Sequence, residues 1–317
     1  MIHFINETTS PALPLMAVPN NHGDPAELRK WTGEHLEVLR EKLRLHGAIL
    51  FRGFSFTGPK DFEDFITLFC PGLLNYIGGN SPRTKVSGKI YTSTEYSRHV
   101  KIIQHNEASN LRTIPRHIFF FCEIPSQKGG QTPLSDSREV FQKISPEVKN
   151  RFISKKIKYI SHLNHGNGFG RSWQQQFEST DPNQVEQRLK TDGYEYTWKP
   201  DGGLRVALVC DAAKTHPETG EMTWVTQADL WHPSSLDPKA REAVRSLFKG
   251  EDLPHDVCFG DGSPIPEEDI RHIREIRESE EVEFNWERGD VLVCDNLLAA
   301  HGRNPFAGER RILVALG

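Results

Sequence analysis

The sequence predicts an α+β fold that is mainly β: a double-stranded β-helix (jelly-roll) core with flanking helices and an inserted lid region. Two observations carry that expectation. Many short segments have the length and composition of buried strands bounded by turn residues, with capped helix-like stretches between them. A close pair of ligating residue types, His105 and Glu107, lies in the first half of the chain and a lone partner, His301, near its end. A double sheet with helices packed outside is an architecture that lets such distant strands meet. No internal repeat, low-complexity segment or linker interrupts the 317 residues. The chain therefore reads as one domain over 1–317, with a helix-strand flank over about 1–70 and an insertion over about 155–200.

Residues 1–22, with Pro11, Pro14 and Pro19, read as an extended lead-in packed on the body. Asp24-Pro25-Ala26-Glu27 opens a helix, with an acidic cap, proline at the first helical position and glutamate three after the cap. Leu28, Trp31, His35, Leu39 and Leu43 give it one apolar stripe, and Gly47 stops it. Residues 48–53 follow as a short strand and 59–69 as a second helix of the same layer. Residues 71–98 are rich in Gly, Ser, Thr and Tyr without a regular period, the composition of a loop that carries substrate contacts.

The aromatic run at 117–122 is a buried strand, and the turn Gly129-Gly130-Gln131-Thr132 leads to a helix capped by Asp136. Residues 156–160 alternate like a half-buried strand, and 161–170 form a glycine-rich lid or loop. His162 and His165 in that loop have no acidic or cysteine companion, so a second metal site is not expected there. Its glycines also lack the strand-to-helix context of a dinucleotide fingerprint. Residues 204–211 and 222–226 read as strands joined through the turn at 217–220. Asp237-Pro238 opens another helix, 267–281 a charged surface helix, and 282–286 alternates before the strand that precedes His301.

Charge is balanced, with 39 basic and 43 acidic residues and a net charge of −4, and no block of like charge forms a tail. Nucleic acid is therefore not an expected partner. The five cysteines, Cys70, Cys122, Cys210, Cys258 and Cys294, are odd in number and scattered without a CxxC pair, as expected of reduced thiols in a cytoplasmic protein. Neither a signal-peptide pattern nor an apolar run of membrane-spanning length is present, so no membrane partner is expected.

The chemistry centres on Ile102-Ile103-Gln104-His105-Asn106-Glu107. In a strand, side chains two apart share a face, so His105 and Glu107 can address one point; on a helix they would diverge. His301, placed by the strand pattern at 290–296 and the turn after it, is the candidate for a third ligand. Two histidines and a carboxylate on one side of a metal suit non-haem Fe(II), and zinc also accepts that set. Ten residues after His301 comes Arg311, and an arginine facing a strand-built cavity needs an anion. Thr132, between a turn and a helix start, can donate its hydroxyl to a carboxylate.

Taken in order, His105-Asn106-Glu107, Gly129-Gly130-Gln131-Thr132, His301 and Arg311 resemble the taurine dioxygenase and clavaminate synthase superfamily of Fe(II)/2-oxoglutarate enzymes. Further segments resemble its branch from nonribosomal-peptide clusters, the syringomycin aspartyl hydroxylase type: Ser81-Pro82-Arg83-Thr84, the run at 90–96, Phe121-Cys122, the run at 132–138 and the run at 301–306. The resemblance implies iron on His105, Glu107 and His301, with Thr132 and Arg311 on the distal carboxylate of 2-oxoglutarate, and O2 as the oxidant. It also implies oxidation of an unactivated carbon of an amino acid or amino-acid-derived natural-product intermediate, most simply by hydroxylation. Desaturation, epoxidation and cyclisation share the cofactor chemistry.

Two positions refine this. Halogenating relatives replace the metal carboxylate by a small residue, and Glu107 is present. Relatives acting on free acids carry a second arginine four residues after the cosubstrate arginine, where this chain has Ala315. The substrate then has no free acid group at that spot, or anchors it elsewhere; an amino acid presented as a thioester on a carrier protein fits that difference. Rival classes are a non-enzymatic metal or small-molecule binding module on the same barrel and a zinc hydrolase. The hydrolase gives no reason for Arg311 and Thr132.

Overall fold

The structure is a computed structural model that describes residues 2–5, 13–21, 23–75, 83–168, 170–248 and 253–317. Its largest sheet has eight strands in the order Ile2–Ile5, Leu15–Pro19, Ala48–Phe51, Val291–Asp295, His117–Ile124, Arg311–Leu316, Ile90–Thr92 and Lys85–Ser87. The central strands are apolar on both faces, the signature of a sheet covered on both sides. Alternate residues go to different cores. Phe119, Phe121, Leu313 and Ala315 pack with Leu39, Phe62 and Phe65 of the helices Pro25–Glu34, Leu36–His46 and Pro59–Ile66. Ile118, Phe120, Cys122, Ile312 and Val314 pack the other way, against Leu134 and Ala299.

Leu134 and Ala299 belong to a three-stranded sheet, Ile102–His105, Ala299–Arg303 and Leu134–Asp136. One buried cluster thus joins the inner face of the large sheet to the small one. Beside this body, Glu195–Trp198, Leu204–Cys210, Ile157–Leu163 and His255–Phe259 make a four-stranded sheet of their own. Helices Ser137–Lys143, Pro146–Lys155 and Glu267–Ser279 close over it through Val140, Phe152, Ile270 and Ile273. Among the described residues no helix is long and apolar enough to cross a membrane, and all five cysteines are free thiols.

Several expectations need correcting. The lead-in supplies two strands, Leu15–Pro19 pairing in parallel with Ala48–Phe51. The stripe over 28–43 is carried by two helices, because His35 leaves helical backbone (φ −126°, ψ 24°) just after Thr32 and Gly33, residues of low helix propensity. The strand Met222–Trp224 pairs with Ala213–Thr215 across the turn at 217–220, not with 204–211. Residues 85–92, read as loop, form a hairpin on the edge of the large sheet. The helix Glu267–Ser279 is only partly a surface helix, since Ile270 and Ile273 are fully buried.

Candidate metal centre

The strand Ile102–His105 runs antiparallel to Ala299–Arg303 with His105 directly opposite His301. Opposed residues on one face of a strand pair lie close enough for their side chains to touch, and here the two imidazole centroids are 4.7 Å apart. Glu107 lies two residues beyond His105 and returns its carboxylate to the same spot. Its Oε2 is 3.8 Å from His105 Nε2 and 3.7 Å from His301 Nε2. Among the described residues these three form a cluster able to hold a metal ion, with donor atoms within 4.8 Å of one another. A set of two imidazoles and one carboxylate would leave further positions on a bound ion for other ligands.

The protonation states suit a cation. His105 Nδ1 lies 2.9 Å from the carbonyl of Ile103, which places the proton on Nδ1 and turns the Nε2 lone pair toward Glu107. Burial, with His301 beside it, pushes His105 down to about 4, so the ring is neutral near pH 7. Burial alone would raise the Glu107 carboxyl. The Arg83 guanidinium, 2.8 Å from Oε2, and the His301 and His105 rings outweigh it and hold the group well below the usual carboxylate range.

The backbone around Glu107 is held by one buried side chain. Asn296 Oδ1 accepts the Glu107 N–H at 2.7 Å, and its Nδ2 donates to the carbonyls of Glu107 and Pro115, both at 2.9 Å. Asn106 Nδ2 donates to the Asn296 carbonyl at 2.8 Å and to Ser137 Oγ at 3.0 Å. Asn296 sits five residues before His301, so it joins the two distant parts of the triad. Gln227 Nε2 adds a bond to the carbonyl of Asn106 at 2.8 Å. Ala108, next after Glu107, adopts the left-handed region at φ 55°, a conformation uncommon outside glycine that turns the chain sharply behind the carboxylate.

Beside the triad is a small cavity lined by Arg83, Ser93, Thr132, His301, Arg303 and Arg310, among others. Thr132 faces it as expected. Its hydroxyl oxygen accepts the Trp286 indole N–H at 3.0 Å, which leaves its own O–H to donate. Arg311 does not face it. That side chain turns to the far side of the large sheet, is 46 % exposed, and pairs with Glu123 at 2.7 Å. The arginine in the cavity is Arg310, because it shares the parity of the inward residues Ile312 and Val314, whereas Arg311 shares that of Leu313 and Ala315.

Arg310 donates to the Gly130 carbonyl at 3.0 Å and to Ser93 Oγ at 3.4 Å, and no carboxylate among the described residues pairs with it. Burial, with Arg303 nearby, pulls its guanidinium down to about 10. A half-buried guanidinium that lines a cavity without a carboxylate partner is suited to an anionic ligand. Gly130, at φ 72°, is needed here, since a Cβ would lie 3.1 Å from Arg310 Cδ and 2.4 Å from Ser126 Oγ. Arg303 donates to four carbonyls, those of Thr94, Tyr96, Ser97 and Val100, and so anchors the wall of the cavity.

The structure brings the three expected triad members together and sets Thr132 at the cavity beside them, and it adds Arg310, Arg83, Asn296 and Trp286, to which sequence reasoning gave no role. The turn composition around Asn296 was visible, but not the bonds it makes across the chain.

Comparison with known proteins gives a concordant result. The profile of the taurine catabolism dioxygenase TauD, TfdA family matches residues 9–316. The chain is 34% identical over 280 residues, 88% of its length and 83% of the relative's, to the dapdiamide synthesis protein DdaC of Enterobacter agglomerans. It is 33% identical over 282 residues, 85% of its length and 81% of the relative's, to a clavaminate synthase-like protein of Arabidopsis thaliana. Its fold is similar to that of PvcB from Pseudomonas aeruginosa, with a TM-score of 0.56 and 14% identity over 99% of this chain and 90% of that one.

Proposed function

The chain belongs to the TauD/TfdA dioxygenase family and is an Fe(II)- and 2-oxoglutarate-dependent dioxygenase; on that premise we propose that it hydroxylates an unactivated carbon of an amino acid or amino-acid-derived natural-product intermediate. The observation that carries the reading is the triad His105, Glu107 and His301 with the half-buried Arg310 beside it, which has no carboxylate partner among the described residues. The donor set fits iron: two imidazoles from opposed strands, that of His105 neutral near pH 7, and an ionised carboxylate two residues beyond one of them. Bound iron supplies oxidising power from O2 as 2-oxoglutarate is converted to succinate and carbon dioxide.

The chain's own residues do the positioning. His105, Glu107 and His301 hold the ion. Arg310 offers its planar fork to the distal carboxylate of 2-oxoglutarate and Thr132 adds an O–H donor, a role we transfer from Arg311 to its neighbour. Asn296 fixes the backbone that carries Glu107, and Arg83 offsets the charge of the carboxylate. The eight-stranded and three-stranded sheets serve as the two faces of a jelly roll, with the shared cluster between them as its interior.

The substrate class is supported by the similarity to a dapdiamide synthesis protein. Four residues beyond Arg310 is Val314, and four beyond Arg311 is Ala315; both are fully buried, so neither place offers a cation for a free acid group. A carrier-bound aminoacyl thioester accords with that absence. The test is mass spectrometry of candidate amino acids, free and carrier-loaded, incubated with protein, Fe(II), ascorbate and 2-oxoglutarate. Iron-dependent succinate with an added oxygen on one candidate is the expected result. Turnover supported by zinc alone, or no iron-dependent succinate at all, would overturn the reading.

A further inference from the structure

The loop that follows Glu107 also lines a second cavity, of about 290 Å3, which shares no lining residue with the one beside Arg310. Ala108, Asn110 and Arg112 of that loop form one wall, and the four-stranded sheet with Trp231 forms the opposite one. Much of the lining is apolar, including Leu163, Val206, Leu208 and Phe177. Into this setting the chain places three polar side chains, Asn110, Arg112 and Tyr194, that make no hydrogen bond or ion pair among the described residues. Asn110 is 9 % exposed, so its amide has little bulk water to satisfy it. A second arginine at the cavity, Arg188, is paired with Asp192 at 3.6 Å, whereas Arg112, an exposed residue whose charge water can reach, has no carboxylate partner among the described residues.

An apolar cavity with a few convergent polar groups is the usual form of a small-molecule site. Its volume suits an aminoacyl-sized group, and a cation, an amide and a phenol among its lining residues offer donors for an anionic oxygen group. We propose that this cavity is the substrate chamber of the enzyme, and that Arg112, with Asn110 and Tyr194, anchors a carboxylate or phosphate ester of the substrate there. The inference rests on the dioxygenase reading of the triad, and it supplies the acid anchor that Val314 and Ala315 do not. It divides the site in two: 2-oxoglutarate on the Arg310 side of Glu107, substrate on the Arg112 side.

The experiment compares wild type, Arg112→Gln, Arg112→Lys and Leu208→Trp, all loaded with Fe(II) and 2-oxoglutarate. The probes are a panel of free amino acids, their pantetheine thioesters and their 4′-phosphopantetheine thioesters. Probe-stimulated succinate formation gives KM and kcat, and anaerobic quenching of tryptophan fluorescence, with Trp231 in the chamber wall, gives binding without turnover. Arg112→Gln is expected to raise the KM of the anionic probe about 10- to 100-fold with little change in kcat, Arg112→Lys to restore part of it, and Leu208→Trp to block binding.

Loss confined to free amino acids identifies a carboxylate as the anchored group. An advantage of phosphopantetheine over pantetheine thioesters that vanishes in Arg112→Gln identifies the phosphate. The proposal is overturned by KM values within about twofold of wild type for every probe in Arg112→Gln, by undiminished binding in Leu208→Trp, or by no charged probe binding wild type. Failure of the underlying dioxygenase reading is distinguishable, because wild type would then form no iron-dependent succinate even in the slow substrate-free reaction.

Discussion

The two sides of the Glu107 loop are built from different material. On the Arg310 side the walls are strands of the two joined sheets, and three of its polar side chains are braced: Thr132 by Trp286, Arg310 by Gly130 and Ser93, Arg303 by four carbonyls. On the Arg112 side the walls include the loop 108–115 and the separate four-stranded sheet, and among the described residues no side-chain hydrogen bond or ion pair braces Asn110, Arg112 or Tyr194. The contrast separates what is common to the chemistry from what selects the substrate. Holding an ion and a fixed keto acid calls for preorganised groups on rigid strands, while substrate choice is carried by loops and insertions on that scaffold.

The largest expected effect breaks the centre both sides share. Glu107→Gln removes the only carboxylate donor of the triad, and iron-dependent succinate formation should fall below detection while the circular dichroism spectrum stays that of wild type. Retained turnover would show that the ion sits elsewhere, and the comparison of its two sides would lose its axis.

Next is the adjacent arginine pair. Arg310→Ala should raise the KM for 2-oxoglutarate about 30- to 100-fold, the weight of a charge-assisted, two-donor contact. Arg311→Ala, which removes only a half-exposed pair with Glu123, should leave it within about twofold. The reverse result would put the cosubstrate on the outer face of the sheet.

Asn296→Ala should weaken Fe(II) binding about 10- to 100-fold, the usual range for a group that orients a metal ligand. Fe(II) titration reads this directly. Asn296→Asp keeps the acceptor for the Glu107 N–H but loses both donors, so its affinity should fall between those of wild type and the alanine variant. Equal affinity in all three proteins would mean that the loop holds its shape without this side chain.

How much of this was legible in the sequence follows the range of the interactions involved. His105 and Glu107 were readable because period two is a local property of a strand, and His301 because a turn and a strand frame it. The choice between Arg310 and Arg311 was not, since it depends on which face each takes, and the pairing shifts register between Arg311 and Ile312. Within the insertion expected over about 155–200 the half-buried strand at 156–160 was readable from its alternation, but not its partner: Ile157–Leu163 pairs with His255–Phe259, about 100 residues away. No window of sequence contains both partners. The resemblance located Arg83 within a matching segment but assigned it no role, and its contact with Glu107 emerged only when the strands were in place.

The smallest effect tests the link between the two sides. Gln227, preceding the short helix Ala228–Trp231, donates to the Asn106 carbonyl at 2.8 Å and accepts the Trp231 indole N–H at 3.4 Å. It therefore ties the wall of the proposed chamber to the backbone of the metal loop. Gln227→Ala removes about 1 kcal/mol of hydrogen bonding, and the consequence should fall unevenly. Trp231 is freed to shift, so the substrate KM should rise by about fivefold, while Glu107 remains held by Asn296 and the KM for 2-oxoglutarate should not change. A parallel rise in both constants would mean that the two sides move as one body, and that the division between a braced cosubstrate side and an adaptable substrate side does not operate in the working enzyme.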